Sequence, residues 1–124
     1  MTSRSRLIGV AALCCLLTLA TSAPAQAPNS SPSDILANPG RFDGQPVTIS
    51  GTIAYVEERV SQSGNPYYTV DLSDGKRTIR VFSFGTATCR AGHAAIVEGT
   101  FKTVTQQSGY TFYNEVAGTR VTCR

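Results

Sequence analysis

Few residues in this 124-residue chain have types and spacings that could do chemistry. The one histidine, His93, stands in "AGHAA" beside a strand-like segment and reads as a solvated loop residue. No serine or cysteine has a base partner in sequence, and there is no glycine-rich phosphate loop, so the chain does not read as an enzyme. Asp71, Asp74 and the pair Glu57-Glu58 read as a solvated acidic rim, not a cation site, and no cofactor or metal is expected. What remains is aromatic. "SGNPYYTVDLSDG", residues 63–75, places Tyr67 and Tyr68 side by side between a turn and a strand. Neighbours on a strand point to opposite faces, so one tyrosine is buried and the other displayed. The functional question is whether the displayed ring is a binding surface.

The cysteines and the N-terminus bound the setting. Arg4 and Arg6 precede an uncharged apolar run, "LIGVAALCCLLTLA" (residues 7–20), followed by the small-residue stretch "TSAPAQA". This is the layout of a secretory signal peptide, and the run is short for a membrane span. Cleavage is expected after Ala25, with the cut after Ala27 disfavoured by Pro28; a retained membrane anchor is the alternative. Cys14 and Cys15 leave with the signal, which predicts a periplasmic or secreted protein without membrane attachment. The whole chain carries 11 basic and 8 acidic residues. Without Arg4 and Arg6 the balance falls to a net charge near +1, so binding a polyanion through global charge gains little support. Cys89 and Cys123 remain. An even pair in a small exported domain predicts a disulfide, and two cysteines with one histidine make a poor metal ligand set.

These features need a scaffold. After the leader (1–25) and a polar linker (26–33), one domain over 34–124 is expected. Ser33 is the candidate cap of a short helical turn through "DILAN", ended by Pro39 and Gly40, with Ile35, Leu36 and Phe42 as an apolar plug. From Pro46 onward every signal is β. Alternation predicts five strands, with Ile49, Ile53, Val70, Leu72, Ile79, Val81, Val97, Phe101 and Phe112 inward, and Tyr68 beside them. Asp74-Gly75 is a hairpin turn. Val116 is placed inward and Val121 beyond a break at Gly118. Gly51 and Gly99 each interrupt a long strand, which permits a bend or a close backbone approach at a barrel corner. The expectation is an all-β fold: a small five-stranded closed barrel with a short N-terminal helical turn.

The lead-in "DILANPGRFDGQPVTISGTI", the hairpin "GNPYYTVDLSDG", the strand "IRVFSFG", the segment "AAIVEGTF" and the ending "YTFYNEV" resemble the bacterial OB-fold domains of the nucleic-acid-binding, tRNA-anticodon-like group. The likeness spans about residues 34–123. It departs from that group at "GTATCRAGHA", a short connection where a longer helix is usual. Small exported bacterial OB-fold proteins are a second group that the chain resembles.

The resemblance implies a ligand face on the second and third long strands, framed by the loops "VSQSGN" and "TQQSG". Its outward residues would be Tyr67, Thr69 and Asp71 with Arg80, Phe82 and Phe84. Arg59, Lys76, Arg77 and Lys102 would lie near the rims. Such a face suits single-stranded nucleic acid, with bases stacked on Tyr67 and Phe82 and cations along the backbone. An oligosaccharide or a protein edge could use the same platform. The alternative is an exported structural or protein-interaction module that binds no nucleic acid, its surface aromatics serving only to stabilise neighbouring strands.

Overall fold

A computed structural model describes residues 29–124. The signal-peptide reading of residues 1–25, and residues 26–28 of the expected linker, lie outside the described residues. Residues 29–33 are not a free linker. Asn29–Ser30 form a short strand, β1, parallel to the next strand at Thr48 and Ile49. Helix α1 (Pro32–Ala37) follows, capped by Ser31 and not by Ser33. Ser31 Oγ accepts from the Asp34 N–H (3.1 Å), and Asp34 Oδ2 accepts from the Ser31 N–H (3.0 Å). This reciprocal box satisfies two otherwise orphaned donors, and Pro32 with its fixed φ suits the first helical position. Pro39 does not simply end the helix. It opens a second one, α2 (Pro39–Phe42). Ile35 joins the core, and Leu36 and Phe42 pack against it, as the apolar plug requires.

Five long strands carry the rest: β2 (Pro46–Val60), β3 (Pro66–Ser73), β4 (Thr78–Phe84), β5 (Ala94–Gln107) and β6 (Tyr110–Cys123). With β1 they make one six-stranded sheet in the order β1-β2-β3-β4-β6-β5, and β2 pairs again with β5. The five long strands therefore form a closed ring of hydrogen-bonded neighbours. All pairs in the ring are antiparallel except β4–β6, which is parallel. No long helix follows Gly85; a loop leads directly to β5.

The glycines explain how two strands serve the ring. β2 pairs with β5 through residues 46–52 and with β3 through residues 52–60, so Gly51 sits at the changeover. A Cβ there would lie 2.7 Å from Ser73 O and 3.0 Å from Leu72 Cγ. At Gly99 a Cβ would lie 2.3 Å from Ala117 O. Both positions demand close backbone approach, which only glycine allows without rearrangement. The expected break at Gly118 is instead a bulge. Glu98 pairs with Arg120 and Gly99 with Gly118, leaving Thr119 as the extra residue, and β6 runs on to Cys123.

The core fills the ring. Ile49, Ile53, Val70, Leu72, Ile79, Val81, Val97 and Phe101 are all fully buried, joined by Val116. Each such side chain contributes about 1.5–3 kcal/mol relative to exposure. Tyr68 is also buried. Phe112 is the exception among the expected core residues: it is half-buried, with the Arg80 guanidinium 5.1 Å from its ring centroid. The reason is strand length. β4 pairs with β6 only from Glu115 to Ala117, so Phe112 lies past that contact, on the part of the β5–β6 hairpin that has no β4 residue in register beside it. Cys89 and Cys123 form a disulfide with Cα atoms 5.8 Å apart, within the usual range. It joins the loop after β4 to the end of β6.

Candidate ligand-binding face

Register assembles the outward residues of β2, β3 and β4 into rows across the sheet. One row is Arg59, Tyr67 and Phe84. The next is Glu57, Thr69, Phe82 and Ala117. The third is Tyr55, Asp71, Arg80, Glu115 and Lys102. Alternation on β3 thus sends Tyr68 into the core and Tyr67 outward, which resolves the tyrosine pair.

Three aromatic rings meet on this face. Tyr67 and Phe82 lie with centroids 5.2 Å apart and planes tilted by 31°. Phe82 and Phe84 are 5.1 Å apart and nearly perpendicular, at 88°. Such tilted and edge-to-face contacts suit aromatic quadrupoles and hold the rings in place. The cluster is uneven in exposure. Tyr67 and Phe82 are half-buried, whereas Phe84 is 74% exposed. Two rings form a floor and the third stands beside it as a wall. Ser61, whose backbone N–H donates to Asn65 O, and the Gly64 N–H, which donates to Ser61 O, close the "VSQSGN" turn at this end of the sheet.

Two of the three cations of the face are paired to carboxylates. Arg59 Nε donates to Glu57 Oε1 at 2.8 Å, and this bond raises the Arg59 pKa further above its ordinary value. Arg80 Nε lies 3.5 Å from Glu115 Oε2 while its guanidinium covers Phe112. Glu115 is 3% exposed, and burial pushes its carboxyl up, with the Arg80 charge offsetting part of that. Lys102 is exposed at the end of the same row. Over the three rows Arg59, Arg80 and Lys102 face Glu57, Asp71 and Glu115, a balanced set of charges.

Other expected site residues fall elsewhere. Thr69 shares the outward row but is buried beneath its neighbours, so it supports the floor without being displayed. Lys76 and Arg77 lie in the Asp74-Gly75 turn, where their N–H groups donate to Asp74 Oδ1 at 2.9 and 2.8 Å. Tyr67 and Ser73 are six residues apart on β3, so that turn sits about 20 Å along the strand from the Tyr67–Phe84 row. The structure brings Arg59, Tyr67, Phe82 and Phe84 together, sets Arg80 and Lys102 one row away, and leaves Lys76 and Arg77 apart. The "TQQSG" tip continues the β5–β6 hairpin, which also exposes Val104, Tyr110 and Tyr113.

Sequence reasoning missed Glu57 and Glu115 as the groups that neutralise this face. Glu57 and Arg59 stand two apart on one strand, a spacing that puts both on the same side and was readable. Glu115 meets Arg80 only through the parallel β4–β6 pairing, which has no local signal. Away from the face, His93 Nδ1 accepts from the Arg90 N–H at 3.3 Å within its turn. Among the described residues there is no group of three or more His, Cys, Asp or Glu side chains arranged to hold a metal ion, and no helix long and apolar enough to cross a membrane. No protein-family model matches the chain, and a search of curated proteins finds no match.

Proposed function

We propose that the chain is an exported binding module built on an OB-type barrel, taking an oligomeric ligand on the outer β3–β4 face. The observation that carries this reading is the contiguous Tyr67–Phe82–Phe84 surface, because rings packed at one site and partly open to solvent offer stacking area at low entropic cost. The fold supports it. Five long strands in a hydrogen-bonded ring, β2 shared between two neighbours and β4 parallel to β6, suit a small barrel of OB type, in which this face and its flanking loops receive oligonucleotides or oligosaccharides. Export is supported by the Cys89–Cys123 disulfide, which is compatible with an oxidising compartment, and by the signal-like N-terminus. The reading assigns no catalysis and no cofactor.

Single-stranded nucleic acid needs cations free to meet phosphates, and here Arg59 and Arg80 are paired to carboxylates. That charge balance also favours the second reading, an exported protein-interaction module. The test is a binding screen of the disulfide-bonded domain against a twelve-residue oligothymidylate over a salt series and against a glycan panel, each repeated with Tyr67→Ala. Binding that Tyr67→Ala weakens while the melting temperature holds supports the module. If neither class of oligomer binds, the interaction-module reading replaces it.

A further inference from the structure

We propose that the ligand of this face is an uncharged oligosaccharide of equatorially linked pyranoses; the inference rests on the binding-module reading and narrows it. Three observations converge. The first is ring geometry. A pyranose with equatorial substituents has flat C–H faces and hydroxyls around its edge. The Tyr67–Phe82 floor, tilted by only 31°, offers such a face a bed, and Phe84 at 88° to Phe82 offers its edge a wall. Successive nucleobases would instead need successive open and parallel faces. Phe84 stands across that path.

The second is the polar group beside the floor. Arg59 is in register with Tyr67, and its guanidinium is held by Glu57. A sugar hydroxyl both donates and accepts, so it can bond to the carboxylate and the guanidinium at once without separating them. A phosphate would be repelled by Glu57 and would have to displace it from Arg59. The third is the balance of charge over the three rows, where Arg59, Arg80 and Lys102 oppose Glu57, Asp71 and Glu115. An uncharged ligand is complementary to a face without net charge. A shallow depression lined by Glu58, Arg59, Val60, Pro66, Tyr67 and Thr86 extends the floor at its open end, giving a second ring of the chain somewhere to lie, and its Glu58 carboxylate is a further group that accepts from sugar hydroxyls and repels phosphate.

The chain has no tryptophan, so Phe84→Trp makes a single reporter at the wall. Titration of this variant with cellohexaose and chitohexaose, followed by tryptophan fluorescence and by calorimetry on the wild type, is expected to show saturable binding that does not change between low and moderate salt. Tyr67→Ala is expected to weaken it about three- to tenfold, the worth of one aromatic contact. Glu57→Gln keeps the shape but unpairs Arg59. It is expected to weaken hexaose binding and to let a twelve-residue oligothymidylate bind where the wild type does not. If the wild type binds the oligothymidylate with a steep salt dependence and ignores both hexaoses, the sugar assignment is overturned and the binding module stands. If the wild type binds none of the three, both fall together.

Discussion

Arg80 and Glu115 are direct partners across the parallel β4–β6 seam, with Arg80 Nε 3.5 Å from Glu115 Oε2, yet Glu115 is buried and Arg80 is largely open to solvent. The pair is therefore unequal: the carboxylate loses its water while the guanidinium keeps much of its own. Burial outweighs the Arg80 charge, so the Glu115 carboxyl is pushed above its ordinary range. A raised folded-state value means that its contribution to stability is present below the unfolded value and lost as pH rises through the folded one. Glu115→Gln should remove that loss. Melting temperatures from about pH 4 to pH 7, which span the ordinary carboxylate range and above, are expected to fall less for the variant, leaving it at least as stable as wild type near neutrality. A loss of about 3–5 kcal/mol at neutral pH would show that the ion pair outweighs the desolvation.

Asp74 behaves in the opposite sense. Ser33 beside it and the backbone N–H groups of Arg77 and Lys76 hold its carboxyl well below the usual carboxylate range. These bonds tie α1 to the β3–β4 turn, since the Ser33 N–H reaches Asp74 Oδ2 at 2.9 Å across 41 residues of sequence. A depressed value stabilises above the unfolded carboxylate value and is lost only as pH falls toward the folded one. Asp74→Ala should lower the melting temperature at neutral pH, and the gap to wild type should narrow in strong acid. Asp74→Asn, which keeps an acceptor oxygen, should lose less. Thermal unfolding followed by circular dichroism over an acid series reads both variants.

Gly99 faces the Ala117 carbonyl too closely for any side chain. Gly99→Ala is expected to destabilise by about 1–3 kcal/mol, the usual cost of forcing extra atoms into a packed site. The same substitution at Gly109, where a Cβ meets nothing within 4 Å but φ is +83°, probes backbone conformation alone and should cost less. Urea denaturation of the two variants compares them, and equal losses would place the demand on conformation and not on space.

Reducing the Cys89–Cys123 bond should lower stability without unfolding the sheet at room temperature. The bond closes a loop of sequence separation 34, which in the chain-entropy model stabilises by about 3–4 kcal/mol. The loop after β4 and the end of β6 are the parts it pins. Hydrogen exchange in the presence of reductant should quicken first in residues 85–93 and 119–124, while the amides around Val70 and Val81 remain protected.

Reduction, substitution at Tyr67 and substitution at Glu115 act on different rows or ends of the sheet, so their effects on stability are expected to add within a few tenths of a kcal/mol. A double variant, Tyr67→Ala with Glu115→Gln, tests this by denaturant unfolding. Strong coupling would mean that the aromatic rows and the Arg80–Glu115 seam move as one unit.

The five long strands, their inward residues apart from Phe112, the two close-approach glycines and the Tyr67–Tyr68 division were legible in the chain itself, because two-residue alternation and mid-strand glycine are local signals that burial enforces, whereas the two-residue β1 carries no such signal. The Cys89–Cys123 pairing was legible too, since only two cysteines lie beyond the apolar run at residues 7–20. What the sequence could not determine was decided between strands far apart in the chain. Ser31 displaced Ser33 as the cap because Pro32 favours the first helical position and Asp74 engages Ser33 from the β3–β4 turn. Phe112 left the core because β4 runs beside β6 for only three residue pairs, a length that no local pattern encodes. Thr69 is covered and Lys76 is remote because register sets which residues share a row and how far along the strand they sit. Above all, the sequence placed Asp71 on the face beside Arg80 but could not say which charges pair there, since charge near a site is a sum over neighbours, and Glu115 becomes a neighbour of Arg80 only when β4 and β6 close the ring.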